Sequence, residues 1–140
     1  MTPRLGPTTL ALLFAIIALA AACSDNDSAG DFPATGGASL TIVLADPEAA
    51  TSQTWTLGCD PASGDLPDPE SACGRLSALD DPWAPVPADV ACAEIFGGPQ
   101  VMTVSGDFHG ESVDASFTRS NACEIERFDR VADALGIAIS

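Results

Sequence analysis

The cysteines limit the folds open to this chain more than any other feature of its sequence. Cys23 directly follows an apolar segment, and beyond it stands an even set of four: Cys59, Cys73, Cys92 and Cys123. Four cysteines in a small exported domain indicate two disulfides, with three pairings open. A metal site is the alternative, but no Cys-x-x-Cys pair is present and the single histidine lies far from the cysteines in sequence.

Residues 1–22 have the pattern of a signal peptide that ends in a lipobox. Arg4 supplies a positive start, an uncharged apolar run follows, and Leu19-Ala20-Ala21-Ala22 leads directly to Cys23. This pattern, typical of bacterial lipoproteins, predicts cleavage before Cys23 and lipidation of its thiol. The alternatives are secretion with cleavage near Ala22 and an uncleaved membrane anchor. The run is shorter than the roughly 20 residues that a spanning helix needs.

Residues 23–39 are predicted to form a flexible tether, because their Ser, Asp, Gly, Ala, Pro and Thr cannot build a core. One domain over residues 40–140 remains, small enough to gain much from cross-links. The chain carries 20 acidic residues against five arginines and no lysine, a formal net charge of -15. This charge argues against nucleic acid and anionic membrane surfaces as partners and fits an extracellular domain.

The alternation of apolar and polar residues predicts an antiparallel sheet. Strands are expected at residues 40–44, at residues 54–59, and in the two arms of a hairpin with His109-Gly110 at its tip. Asp68 before Pro69, and Asn121 three residues before Glu124, predict the starts of two helices. The expected apolar helix faces are Ala72, Cys73, Leu76 and Leu79 in the first helix and Ile125, Phe128, Val131 and Leu135 in the second. Because no βαβ alternation is present, the predicted class is α+β.

No set of residues suited to catalysis is evident. His109 lies in a hairpin tip, and the chain has no Gly-x-Ser-x-Gly elbow. The carboxylate pairs Glu124/Glu126 and Asp129/Asp133 are interpreted as the solvated face of the last helix. We therefore expect neither an enzyme nor a bound cofactor or metal.

One segment, residues 91–100, looks suited to binding another protein. It begins beside Cys92, ends in Gly97-Gly98-Pro99-Gln100 and precedes an alternating strand. A loop that a disulfide and a sheet hold in extended form loses little entropy when another protein clamps it. Such a loop can bind a protease without being consumed by it.

Over residues 40–135 the chain resembles the Streptomyces subtilisin inhibitor family of secreted protease inhibitors. The resemblance rests on the cysteine pattern and on three motifs: Gly97-Gly98-Pro99-Gln100, Val104-x-Gly106-x-Phe108-x-Gly110-x-x-Val113, and Phe117-x-Arg119-Ser120-Asn121-x-Cys123-Glu124-Ile125. It implies a subtilisin inhibitor-like domain with a five-stranded antiparallel sheet and two helices. It also implies the disulfides Cys59–Cys73 and Cys92–Cys123, and a homodimer formed through the sheets.

The resemblance further implies a substrate-like reactive loop whose reactive bond is Glu94–Ile95. The rest of that loop would be Ala91, Cys92, Ala93, Phe96 and Gly97, buttressed by Ser120-Asn121. The chain departs from the family in two respects: Glu94 is acidic where members usually carry Met, Lys or Arg, and members are usually secreted without a lipid anchor. An unpaired carboxylate that enters an apolar or acidic pocket costs several kcal/mol.

The leading hypothesis is an inhibitor of extracellular serine proteases, tethered by lipid to the outer face of the cell membrane. Its partner would be a subtilisin-like, trypsin-like or Glu-specific protease. The alternative is a non-inhibitory cell-surface binding module on the same fold.

Overall fold

An antiparallel sheet of five strands is the main element of the computed structural model, which describes residues 37–139. In chain order the elements are β1 (Ala38–Asp46), β2 (Thr51–Cys59), β3 (Ser63–Gly64), α1 (Pro69–Ala78), β4 (Val101–Phe108), β5 (Glu111–Phe117) and α2 (Ala122–Leu135). The strand order is β3-β2-β1-β4-β5, and every neighbouring pair is antiparallel. The predicted α+β class is confirmed. The expected signal, the lipidation of Cys23 and the tether up to residue 36 lie outside the described residues.

Alternation along the strands gives the sheet one buried and one exposed face. Leu40 and Ile42 of β1 belong to a buried cluster that includes residues of both helices. On the opposite face the register places Thr41 of β1 between Thr56 of β2 and Ser105 of β4, and all three are exposed. The helices therefore cover one face of the sheet, while hydroxyl side chains stand at the centre of the other.

Both helices begin at the residues expected from the sequence. Asp68 accepts a hydrogen bond from the backbone N–H of Ser71 at 3.0 Å, and Asn121 accepts one from the N–H of Glu124 at 3.0 Å. Such caps satisfy N–H groups that have no partner within the helix. The cap at Asn121 fixes the first turn of α2, to which the segment before β4 is attached.

Two disulfides complete the framework. Cys59–Cys73 fastens α1 to the end of β2, with the two Cα atoms 5.9 Å apart. Cys92–Cys123 joins the segment before β4 to the first turn of α2, with a Cα separation of 5.6 Å. The pairing that the resemblance implied is confirmed.

Two of the four carboxylates interpreted as the solvated face of α2 also lie near arginines. Glu124 Oε2 lies 3.4 Å from Arg127 Nη1, and Asp129 Oδ1 lies 3.6 Å from Arg119 Nη2. The Asp129 pair depends on the chain path before the helix, because Arg119 lies outside α2. Helical periodicity alone does not report such a contact.

The hairpin tip forms where the sequence predicted it. His109 and Gly110 have φ values of 51° and 86°, the positive values that a tight two-residue turn requires. His109 Nε2 lies 3.1 Å from Ser77 Oγ in α1. Within residues 37–139 no helix is long and apolar enough to cross a membrane, and no His, Cys, Asp and Glu cluster could hold a metal ion.

Candidate functional site

The segment predicted from the sequence is largely exposed and carries two of the three exposed large apolar side chains of residues 37–139. Ala91, Ala93 and Glu94 are exposed, and so are Ile95 and Phe96, while Cys92 and Gly97 are partly buried. Within residues 37–139 the exposed large hydrophobic residues are Val90 at 49%, Ile95 at 54% and Phe96 at 70%. An apolar cluster that leaves the core in this way marks an interaction surface. Residues 91–97 are hereafter the 91–97 loop.

The backbone of the 91–97 loop is fastened at one end to the start of α2 and at the other to the segment just before that helix. The Ala93 carbonyl accepts a hydrogen bond from the Ala122 N–H at 3.0 Å, next to the Cys92–Cys123 disulfide. At the other end, the Gly97 N–H donates to the Arg119 carbonyl at 2.8 Å. Glu94, Ile95 and Phe96 therefore lie between two fixed points.

Glu94 stands at the apex of the loop. The Ile95 N–H donates to the Ala93 carbonyl at 2.9 Å and closes a three-residue γ-turn centred on Glu94. No hydrogen bond or ion pair joins the Glu94 side chain to another of residues 37–139. The loop thus presents an exposed carboxylate at its apex, with no partner among residues 37–139.

Close packing holds the far end of the loop against α2. A Cβ atom added at Gly97 would lie 2.7 Å from both Cγ1 and Cδ1 of Ile125 and 3.2 Å from Cβ of Arg119. Only glycine lets the backbone approach the helix so closely. Gly98 follows with a φ of 131°, which turns the chain towards β4.

The loop's support differs in detail from the expected Ser120-Asn121 buttress. The loop bonds come from the main chain of Arg119 and Ala122, which flank those two residues. The Asn121 side chain instead caps α2, and Ser120 Oγ lies 3.1 Å from Thr118 Oγ1. Asn121 therefore acts on the loop through the helix start.

Arg119 was named from the sequence within a family motif, but no role was predicted for it. Its carbonyl receives the Gly97 N–H, while its guanidinium carbon lies 5.6 Å from the centre of the Phe128 ring and its Nη2 lies 3.6 Å from Asp129. These contacts hold Arg119 between the loop and α2. The acceptor of the loop bond is thus part of the packed body of the domain.

Arg127, 8% exposed, is the second missed residue. Its guanidinium donates to the carbonyls of Ala84 at 2.6 Å, Ser116 at 2.7 Å and Trp83 at 3.0 Å, and lies over the Phe117 ring at 4.1 Å. It thereby attaches the connector that leads into the loop to both the sheet and α2. The sequence signal was an arginine beside the apolar stripe of α2, three residues after a glutamate.

The arrangement suits binding by presentation of the main chain. The 91–97 loop contains no Ser, His, Lys or Arg, and the whole of β4 separates it from His109. What it offers is an exposed peptide segment, fixed at both ends, with an acidic apex and two apolar residues after it. Such a segment is a ready-made ligand for a cleft that binds extended peptide.

The comparisons with known proteins agree with this geometry. Residues 34–121 match the family described as subtilisin inhibitor-like. A relative, subtilisin inhibitor-like protein 1 of Streptomyces cacaoi, is 33% identical over 88 residues, which cover 59% of this chain and 79% of the relative. The family match over residues 34–121 includes the strands, α1 and the whole 91–97 loop. By its sequence, this chain belongs to the subtilisin inhibitor-like family.

Proposed function

We propose that the protein inhibits extracellular serine endopeptidases and that the 91–97 loop is its substrate-like reactive loop. The observation that carries the proposal is the coincidence of two properties in one segment. The exposed large apolar side chains cluster at residues 90–96, and the same segment is fixed by a disulfide and by backbone bonds to Arg119 and Ala122. A fixed loop binds with little entropic cost.

In this proposal the Glu94 side chain enters the protease's specificity pocket, and the Glu94–Ile95 peptide bond lies at the catalytic serine. Attack on the Glu94 carbonyl would release the Ile95 amine. That amine would stay close, because the Gly97 N–H remains bonded to the Arg119 carbonyl two residues further on. The disulfide at Cys92 holds the other side. An amine held beside the acyl carbon re-forms the peptide bond faster than water hydrolyses the acyl-enzyme, since proximity raises the effective concentration of the amine.

The experiment is a titration of subtilisin, trypsin and a Glu-specific serine protease with the purified protein. Stoichiometric loss of peptidase activity against at least one of them is expected, with competition by substrate. Loss of inhibition on reduction of the disulfides would support the role of the Cys92–Cys123 bond. If no protease is inhibited by the protein or by any Glu94 variant, the loop is not a reactive site.

A second candidate is a non-inhibitory cell-surface binding module. The observation that favours it is Glu94 itself, because a carboxylate at the apex opposes entry into the apolar pockets of common proteases. The titration separates the two candidates, since a binding module would leave every protease active.

The proposed location is the outer face of the cell membrane. The two disulfides and the secreted family indicate an oxidising compartment outside the cytoplasm. Lipidation of Cys23 would hold the domain there on the 23–39 tether. A homodimer through the sheets would bury the face that carries Thr41, Thr56 and Ser105, and light scattering of the purified protein tests it.

A further inference from the structure

We infer that the partner of the 91–97 loop is a serine protease whose primary specificity pocket holds a cation and which cleaves after glutamate. The inference rests on the proposed function, because it names the partner of the same loop.

The arginines of residues 37–139 do not neutralise Glu94. Arg119 pairs with Asp129, Arg127 bonds to backbone carbonyls and to Glu124, and Arg75 Nε donates to the Ala134 carbonyl at 3.0 Å. The remaining arginine of the described residues, Arg130, lines a groove of about 420 Å³ beside Val90, together with Asp80, Asp81 and Glu126. The carboxylate at the loop apex therefore reaches a partner with its charge uncompensated.

The free energy of binding this carboxylate depends on the pocket that receives it. In an apolar or acidic pocket the carboxylate would lose its water without gaining a partner, which opposes binding. A pocket with a cation replaces the lost water with charge-assisted hydrogen bonds. The protein's formal net charge of -15 also favours a partner with a positive cleft, because opposite fields speed the encounter.

Of residues 91–94, which precede the proposed reactive bond, Glu94 alone carries a long side chain. Cys92 is held in its disulfide, and Ala93 has its carbonyl bonded to Ala122. The γ-turn places Glu94 at the apex, so the pocket-filling residue is fixed by the backbone as well as by position. Specificity before the bond therefore comes from glutamate.

Two exposed apolar residues follow the proposed reactive bond. Ile95 and Phe96 are 54% and 70% exposed, and the tight contact of Gly97 with Ile125 fixes the chain directly behind them. Their apolar surface matches a cleft with apolar subsites on the leaving-group side. The partner should therefore cleave model peptides with glutamate before the bond and isoleucine and phenylalanine after it.

The test compares four forms of the full-length protein: the unmodified chain, Glu94→Gln, Glu94→Leu and Glu111→Gln. Glu111→Gln is the matched control, since Glu111 is an exposed glutamate at the start of β5, beside the hairpin tip, and its loss changes net charge by the same amount. Inhibition constants are measured against a Glu-specific serine protease and against subtilisin. Circular dichroism confirms that all four forms are folded.

The unmodified chain and Glu111→Gln should inhibit the Glu-specific protease equally, and Glu94→Gln should be about a hundredfold weaker, the usual effect of removing one partner of a bound charge pair. Glu94→Leu should no longer inhibit the Glu-specific protease and should inhibit subtilisin instead. If the unmodified chain leaves the Glu-specific protease active while Glu94→Leu inhibits subtilisin, the inference is wrong and the proposed function stands. If the unmodified chain and Glu94→Gln inhibit the Glu-specific protease equally, the inference is again wrong. If no form inhibits either protease, both fall.

Discussion

Replacing Gly97 by alanine should loosen the 91–97 loop without unfolding the domain. The added Cβ would lie 2.7 Å from Cγ1 and Cδ1 of Ile125, closer than such atoms approach in folded proteins. Ile125 sits in the first turn of α2, so either its side chain rotates or the loop moves away from the helix. A moving loop would lengthen the 2.8 Å bond from the Gly97 N–H to the Arg119 carbonyl.

Overpacking of this kind costs about 1–3 kcal/mol. If that strain is relieved by displacement of the loop, the same energy is lost from protease binding, a factor of about 5 to 150 in the inhibition constant. The assay measures the inhibition constant, the rate at which the protease cuts the loop, and the free energy of unfolding in urea. We expect weaker inhibition and faster cutting, with a smaller change in stability.

Two variants make the result interpretable. Gly97→Ala combined with Ile125→Ala removes the clashing atoms, so the double variant should bind the protease better than Gly97→Ala alone. Gly74→Ala is the matched control: it lies in α1 with no atom within 4 Å of the added Cβ. It should leave inhibition unchanged and raise stability by up to about 1 kcal/mol, because alanine favours helix. Unchanged inhibition and cutting in Gly97→Ala would refute the idea that packing on α2 holds the loop.

Three further predictions concern the framework, acid stability and the anchor. Removing the Cys92–Cys123 bond as a double alanine variant should cost about 4 kcal/mol of stability and turn the protein into a readily cut substrate. Removing Cys59–Cys73 in the same way should cost about 3 kcal/mol and leave a loop that still inhibits. Urea unfolding and cleavage rates distinguish the two variants. Hydrogen bonds from the Thr56 N–H and hydroxyl lower the pKa of Asp65 below its ordinary 3.8. The contribution of Asp65 to stability is therefore complete above pH 3.8 and is lost as the pH falls through its lower pKa in the folded protein. Asp65→Asn should lose less stability than the unmodified protein as the pH falls below 3.8, and an unchanged pH profile of stability would contradict this role of Asp65. Fatty-acid labelling should mark the unmodified protein and not Cys23→Ser, and equal labelling of both would remove the lipoprotein proposal.

Much of the fold could be predicted from the sequence because its signals are local. A β-branched apolar run identified β1, alternation identified β2, and the cap residues Asp68 and Asn121 marked both helix starts. The two-residue β3 had no such signal. It depends on pairing of Ser63 and Gly64 with β2, a contact that composition does not encode. The five-strand count came from the family resemblance.

The supports of the loop were harder to predict for a physical reason. The acceptor at Arg119 and the donor at Ala122 are main-chain groups, which every residue carries, so no side-chain pattern reveals them. The burial of Arg127 depends on carbonyls of Trp83 and Ala84 that approach only in the folded chain. The position of the loop was predictable from its motifs, whereas its means of attachment required the structure.

Mass spectrometry of the protease-treated protein tests most directly whether Glu94–Ile95 is a reactive bond. The protein is incubated for a long period at low pH with a small amount of the protease that it inhibits. Under non-reducing conditions we expect a cut protein that is heavier by one water and is held together by the Cys92–Cys123 bond. After reduction, we expect two fragments, one ending at Glu94 and one beginning at Ile95. Cleavage at a different bond, with Glu94–Ile95 intact, would contradict the account.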